Sequence, residues 1–213
     1  MTQLHSFFNS STSYRVRIAL GLKGKAFDYI ATDIRNLEHR TPGYVKFNPS
    51  GSVPTLTEGE AVIGQSIAII DYLDFVIPEP RLIPLEQPKR ARVLELSMAI
   101  ACDIHPVNNL RVLRYLQDTL KISTVQKDEW YRHWVSDGMA MVEALLEKYG
   151  TGPFCFGEEP TLADCCLIPQ IANALRMGCE LEQYTRAMSI YNHCIGQAAF
   201  AAAAPRAQPD YVG

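Results

Sequence analysis

The sequence is short of several things that would each name a class of protein. Its longest unbroken apolar run, Ala198 to Ala204, covers seven residues, against the roughly 20 that a helix needs to cross a bilayer. A membrane-spanning helix is not expected. No block of like charges occurs: 20 Lys and Arg face 23 Asp and Glu for a net charge of −3, so the electrostatic footprint of a nucleic-acid or anionic-membrane binder is missing. The first ten residues, MTQLHSFFNS, have no basic region leading into an apolar stretch, and a cytoplasmic location is expected. Among six cysteines (Cys102, Cys155, Cys165, Cys166, Cys179 and Cys194) there is no C-x-x-C pair and no C-x-H arrangement. That spacing argues against a thiol redox motif and a zinc site, so no metal is expected. In a reducing compartment such cysteines serve mostly as small buried apolar side chains.

What is present is an ordinary globular composition, 47% apolar and 20% charged over 213 residues, enough for one large domain or two small ones. The first composition shift is PEPRLIPLEQP, Pro78 to Pro88, with four prolines in eleven residues. Proline removes an amide donor and biases the preceding residue toward extended backbone, so this stretch predicts a boundary: one domain over 1–81, a linker over 82–87 and a second domain over 88–213.

Before the boundary, Leu4 to Phe8 predicts a strand, and Ser10-Ser11 offers N-cap hydroxyls to a helix carrying Val16, Ala19 and Leu20 at helical spacing. Gly24 can close that helix. Phe27 to Ala31 alternates as a second strand, parallel to the first across the helical crossover. A short helix is expected around Glu38 to Phe47, a hairpin over Val53–Thr57 and Ala61–Ile63, and a helix after Gln65-Ser66. The order β-α-β-α-β-β-α is that of a thioredoxin-like domain.

After Pro88 the pattern is helical throughout. Val93, Leu96, Ile100, Val107, Leu113 and Leu116 share one face, with Pro106 expected to kink or divide the helix. A second long pattern runs from Lys127 to Tyr149, and Thr161-Leu162-Ala163-Asp164 begins a third. Tyr184 to Cys194 adds a fourth. The fold class is thus an α/β N-terminal thioredoxin-like domain followed by an all-α helical domain.

The strongest chemical signal is FNSSTSYRVRIALGLKG, Phe8 to Gly24, which puts Ser10, Ser11 and Thr12 at the mouth of the first helix. Unpaired amides and the positive end of the helix dipole favour an anion there. A thiol oxidoreductase of this fold would carry C-x-x-C at that turn; hydroxyls instead suit a thiolate brought by another molecule.

SSTSYRVRIAL resembles the signature of zeta-class glutathione transferases. NPSGSVPTL, GQSIAIIDYLD, CDIHPVNNLRVLRYL, TLADCCLIPQIANALR and the terminal QPD are also similar to family segments, in the family's order, so the resemblance covers nearly all of the chain. It implies a glutathione-binding domain followed by a helical substrate domain, assembled as a homodimer. Ser10 and Ser11 match the two family serines beside the glutathione sulfur. Thr12 stands where many members have Cys or Ala, which removes any case for an enzyme-borne thiol; related maleylpyruvate isomerases can carry Thr there.

The resemblance further implies that Val53-Pro54 is a cis-proline site whose Val53 backbone pairs with the cysteinyl unit of glutathione. It also implies that Gln65 and Ser66 hold the γ-glutamyl carboxylate. In the second domain, His105 matches a family position. Of Asn108 and Asn109, one is expected in the pocket with glutathione and the other on the backbone freed by Pro106. Arg176 matches the family arginine that binds a substrate carboxylate. Arg15 and Arg17 are expected to serve structure on the first helix, and Asp164 to cap its own.

The implied activity is glutathione-dependent conversion of maleylacetoacetate to fumarylacetoacetate, in tyrosine and phenylalanine breakdown. Ser10, Ser11 and Thr12 would lower the thiol pKa, His105 or Asn109 would donate to the enolate oxygen, and Arg176 would clamp the acid. Maleylpyruvate is the alternative substrate, and transferase or dehalogenase action on small α-halo acids the alternative reaction.

Overall fold

The computed structural model describes residues 1–212. Its first unit, Met1–Ile83 with the segment from Ile195 onward, is built on a four-stranded sheet. Leu4 and Leu56 are fully buried on it, and side-chain alternation along β1 (Thr2–Ser6) sets one face inward. β1 pairs in parallel with β2 (Asp28–Ala31) and antiparallel with β3 (Thr55–Glu58), which pairs antiparallel with β4 (Ala61–Gly64). The sheet order is β2-β1-β3-β4. α1 (Ser11–Leu22) is the crossover, α2 (Pro42–Phe47) follows a 3₁₀ turn at Glu38–Arg40, and α3 (Ser66–Val76) follows the hairpin. The expected order of elements is therefore present. β1 stops at Ser6 and not at Phe8, because the Phe7 and Phe8 carbonyls accept from Arg17 instead of continuing the ladder.

The Pro-rich stretch differs in part from its expected linker. Leu82 and Ile83 are buried, and their amides donate to the two carboxylate oxygens of Asp74, at 2.9 and 2.6 Å. Asp74 in turn pairs with the buried Lys23 ammonium at 2.6 Å, which also donates to the Ile77 and Pro80 carbonyls. A buried ion pair is tolerated when all its donors and acceptors are used in this way. Residues 82–83 therefore belong to the first unit.

The second unit, Pro84–Cys194, contains α4 (Lys89–Met98), α5 (Leu110–Arg114), α6 (Thr124–Tyr149), α7 (Leu162–Arg176) and α8 (Thr185–Ile195), whose last residue is counted with the first unit. Pro106 does divide the first helical pattern. The chain widens into a π turn at Ala99–Ile104, tightens into a 3₁₀ turn at Pro106–Asn108 and restarts at Leu110 with Asn109 as its cap. Such π segments concentrate at functional sites. α7 is buried along its first ten residues and forms the core. Asp164 caps it as expected, accepting from the Thr161 amide and hydroxyl and from the Cys155 amide. Burial pushes its carboxyl above the ordinary range, against the pull of those bonds.

The sequence pattern extends the helical domain to the chain end, but the structure does not. α9 (Ala198–Ala203) packs on α1, where Gly21 leaves room for Ala199: a Cβ on Gly21 would lie 3.3 Å from the Ala199 Cβ. A run of small residues carries no period that tells which neighbour it will cover.

Candidate functional site

The turn over residues 7–10 carries the chain from β1 into α1. Ser10 is the N-cap: its backbone is extended, and its Oγ accepts from the Ser13 amide at 3.2 Å. Thr12 Oγ1 donates to the Val53 carbonyl at 3.0 Å and lies 3.0 Å from Ser10 Oγ. A threonine hydroxyl has one proton, so Ser10 is the donor between them. Among the described residues, Ser11 alone of the three has a hydroxyl that no protein group engages, and it opens α1. The three hydroxyls expected to act alike thus divide, with Ser10 and Thr12 bracing the turn and Ser11 left without a protein partner among the described residues. Val53-Pro54 is cis. The Val53 carbonyl keeps a second lone pair beside the Thr12 bond, and its amide donates to no protein acceptor among the described residues.

At the start of α3, Gln65 has a φ of 68°, a region that non-glycine residues rarely occupy and that clusters at ligand sites. The first amides of α3, as in any helix, have no intrahelical partner at this mouth. Ser66 is buried there, and its Oγ accepts from Arg15 Nη1 at 3.4 Å. Arg15, expected to serve structure on α1, reaches this point. The residue is 1% exposed, and among the described residues its Nε and Nη2 have no partner. No carboxylate pairs with it among the described residues. A buried cation without a counter-ion is costly, and this one backs a helix N-terminus that itself favours an anion. The available signal was spacing, since Arg15 lies one helical turn after Ser11 on the same face of α1. Arg17, by contrast, is structural as expected: it donates to the Phe7, Phe8 and Ala203 carbonyls and to Ser6 Oγ. Burial lowers its pKa to about 10, against the attraction of Tyr29, Tyr14 and Asp210.

In the second unit, Asn109 Oδ1 accepts from the Arg111 amide, and its Nδ2 lies 3.3 Å from His105 Nε2. The amide group donates there to a ring in the tautomer protonated at Nδ1. Asn108 faces inward. It is buried and donates to the Tyr131 carbonyl at 3.2 Å, so its Nδ2 is engaged by the protein while its Oδ1 is left without a partner among the described residues. Arg176 is exposed at the end of α7, and its Nη2 donates to Asn173 Oδ1 at 2.6 Å. Asn173 Nδ2 donates to the Tyr131 hydroxyl, also at 2.6 Å. Tyr131 is buried, and burial holds its phenol protonated well above neutrality. Asn173 and Tyr131 were not singled out in the sequence, because neither type nor spacing marks an amide as the brace of an arginine.

Of the cysteines, only Cys102 is exposed. Burial raises the thiols of Cys155, Cys179 and Cys194, which makes them poor thiolates. Among the described residues no group of three His, Cys, Asp or Glu side chains could hold a metal.

The glutathione S-transferase N-terminal domain family matches residues 9–75, and the C-terminal domain family matches residues 128–186. The chain is 40% identical over 209 residues to a probable maleylacetoacetate isomerase of Vibrio cholerae, covering 97% of each. In structure it is similar to the holo form of a maleyl pyruvate isomerase, described as a bacterial zeta-class glutathione S-transferase. The TM-score is 0.96 at 40% identity, over 99% of this chain and 100% of the other. A maleylacetoacetate isomerase of Anaeromyxobacter dehalogenans, solved with dicarboxyethyl glutathione and citrate in its active site, superposes at a TM-score of 0.88 and 36% identity, over 99% and 97%. Both halves match in order and single relatives run alongside nearly every residue, hydroxyl turn included, so the chain belongs to the glutathione S-transferase family, in its zeta class.

Proposed function

We propose that the protein is a glutathione-dependent cis-trans isomerase that converts maleylacetoacetate to fumarylacetoacetate. The observation that carries this reading is the division of labour at the α1 mouth, where Ser11 keeps an unengaged hydroxyl beside the positive end of a helix. The residues fit glutathione. Arg15, with two orphaned guanidinium nitrogens behind Ser66, supplies the positive charge for the γ-glutamyl carboxylate. Ser66 and the α3 amides supply the donors, and the Val53 backbone pairs with the cysteinyl unit as a neighbouring strand would. When bound, glutathione supplies a thiolate that adds reversibly to the cis alkene, leaving a single bond that can rotate, and is then released unchanged.

Ser11 donates its hydroxyl proton as a hydrogen bond toward the sulfur and keeps it ionised, helped by the α1 amides. A lowering of one pKa unit is about 1.4 kcal/mol, within reach of a helix terminus and one hydroxyl. Asn109 orients His105 so that a donor of this pair meets the oxygen that gains charge as the double bond opens. Arg176, steadied by Asn173, holds a substrate carboxylate through its planar pair of donors. Among the described residues no helix is long and apolar enough to cross a membrane; a cytoplasmic homodimer belongs to the same reading. Maleylpyruvate remains the second candidate substrate, because it presents the same cis alkene between two acids and relatives carry both names.

The test incubates the protein with a catalytic amount of glutathione and each maleyl keto acid, following cis and trans alkene protons by NMR. Conversion with total glutathione unchanged is expected, faster for maleylacetoacetate. Depletion of glutathione would make the protein a conjugating transferase, and equal turnover without glutathione would end the proposal.

A further inference from the structure

The segment after α8 comes back onto the first unit and ends on the turn that presents the hydroxyls. Tyr14 Oη donates to the Phe200 carbonyl at 3.3 Å, Arg17 Nε to that of Ala203 at 2.9 Å, and Gln208 Nε2 to those of Ala202 and Ala204. Beyond these, Asp210 Oδ2 accepts from the Phe8 amide at 3.0 Å and Oδ1 accepts from the Tyr29 hydroxyl at 2.6 Å. The Tyr211 ring meets Phe8 edge-on at 5.5 Å. Phe8 is thus held at both of its backbone groups, the amide by Asp210 and the carbonyl by Arg17 at 3.0 Å. The preceding carbonyl, that of Phe7, accepts from the Ser10 amide. The turn therefore hangs between an acid from one end of the chain and a cation from α1.

The geometry points to Asp210 as a positioning residue for the thiolate site: its carboxylate fixes the Phe7–Ser10 turn and with it the direction in which Ser11 presents its hydroxyl. This rests on the reading that the glutathione sulfur is held at Ser11. A loop freed at Phe8 would let the first residues of α1 fray, and a donor whose position is averaged loses directional strength. A carboxylate also suits the position chemically. It accepts from the amide and the phenol at once, a charge-assisted pair of bonds that a neutral acceptor only partly reproduces. Its negative charge does not work against the thiolate uncompensated, because Arg17 lies buried on the same turn.

The test compares wild type, Asp210→Ala, Asp210→Asn and Tyr29→Phe by titrating the thiolate absorbance of bound glutathione and by kcat and KM, with thermal melts to confirm folding. Asp210→Ala, which removes the bonds from both the Phe8 amide and the Tyr29 hydroxyl, is expected to raise the pKa of the bound thiol and lower kcat/KM at neutral pH about tenfold, the effect on the site of the bond lost at the Phe8 amide. Asp210→Asn, which keeps one oxygen for the Phe8 amide, is expected to recover most of that loss. An unchanged thiol titration in a folded Asp210→Ala protein, or equal losses in the Ala and Asn variants, overturns the assignment. Should Asp210→Ala fail to fold, Tyr29→Phe, which removes the second hold on the carboxylate together with the phenol's bond to Ser6, decides: a smaller rise in the thiol pKa is expected, and none overturns it. A wild-type protein that leaves the thiol of glutathione at its free value would instead overturn the functional reading beneath it.

Discussion

At the residue scale, Ser10 and Ser11 are chemically identical neighbours with different work. Ser10 has spent its oxygen on the Ser13 amide and its proton on Thr12, while Ser11 has spent neither. Ser10→Ala is therefore expected to cost stability, about 1 kcal/mol for a lost cap, or a fall of roughly 2–4 °C in melting temperature. Ser11→Ala is expected to leave the melt in place and raise the pKa of the bound thiol by about one unit, read from thiolate absorbance against pH. The reverse assignment would appear as the reverse pair of results. His5 supplies a pH dependence. It packs against the rings of Tyr44 and Phe47, at 5.8 and 4.8 Å, and burial lowers its pKa below 6.5. The unfolded chain then takes up this proton first, so the stability that neutral His5 contributes is present above pH 6.5 and is lost as pH falls through that value toward the folded pKa. His5→Gln should flatten the decline in melting temperature between about pH 7 and 5.

At the element scale, α7 delivers an arginine from a buried helix whose end is braced by α6. Arg176 sits at the negative end of the α7 dipole, where a cation is stabilised, and Asn173, one turn earlier, links it to the Tyr131 hydroxyl. Asn173→Leu should raise the KM for the diacid several-fold and leave the KM for glutathione unchanged. It should also cost about 1–3 kcal/mol, because the buried phenol loses its partner. Arg176→Ala should raise the diacid KM more than that of a maleylacetone-like substrate with one acid fewer, and equal effects on both would remove the carboxylate role. The helices themselves were readable: apolar spacing and caps place α1, α3 and α7 within a few residues of where they form. Their braces were not. The pairing of Asn173 with Tyr131 joins residues on different helices, and local pattern has no access to such a meeting.

At the scale of the whole molecule, bound glutathione should stabilise the fold by mass action. At a hundredfold excess over Kd the gain is about 2.7 kcal/mol, or roughly 5–10 °C in melting temperature for a chain of this size. A scaffold that keeps the fold without the ligand would show no shift at millimolar glutathione. The sequence by itself determined the two architectures and their order, the hydroxyl turn at the mouth of α1, and the likeness to zeta-class transferases, because each is written in short-range features: period, caps, prolines, adjacent serines. Only the tertiary structure decided which serine stays unengaged, that Arg15 lies buried behind Ser66 with no acid paired to it among the described residues, that Asn108 turns inward, and that the last described residues lock onto Phe8. Those outcomes depend on which distant groups compete for each donor and acceptor once the chain has closed on itself, and such competition has no counterpart in the order of the residues.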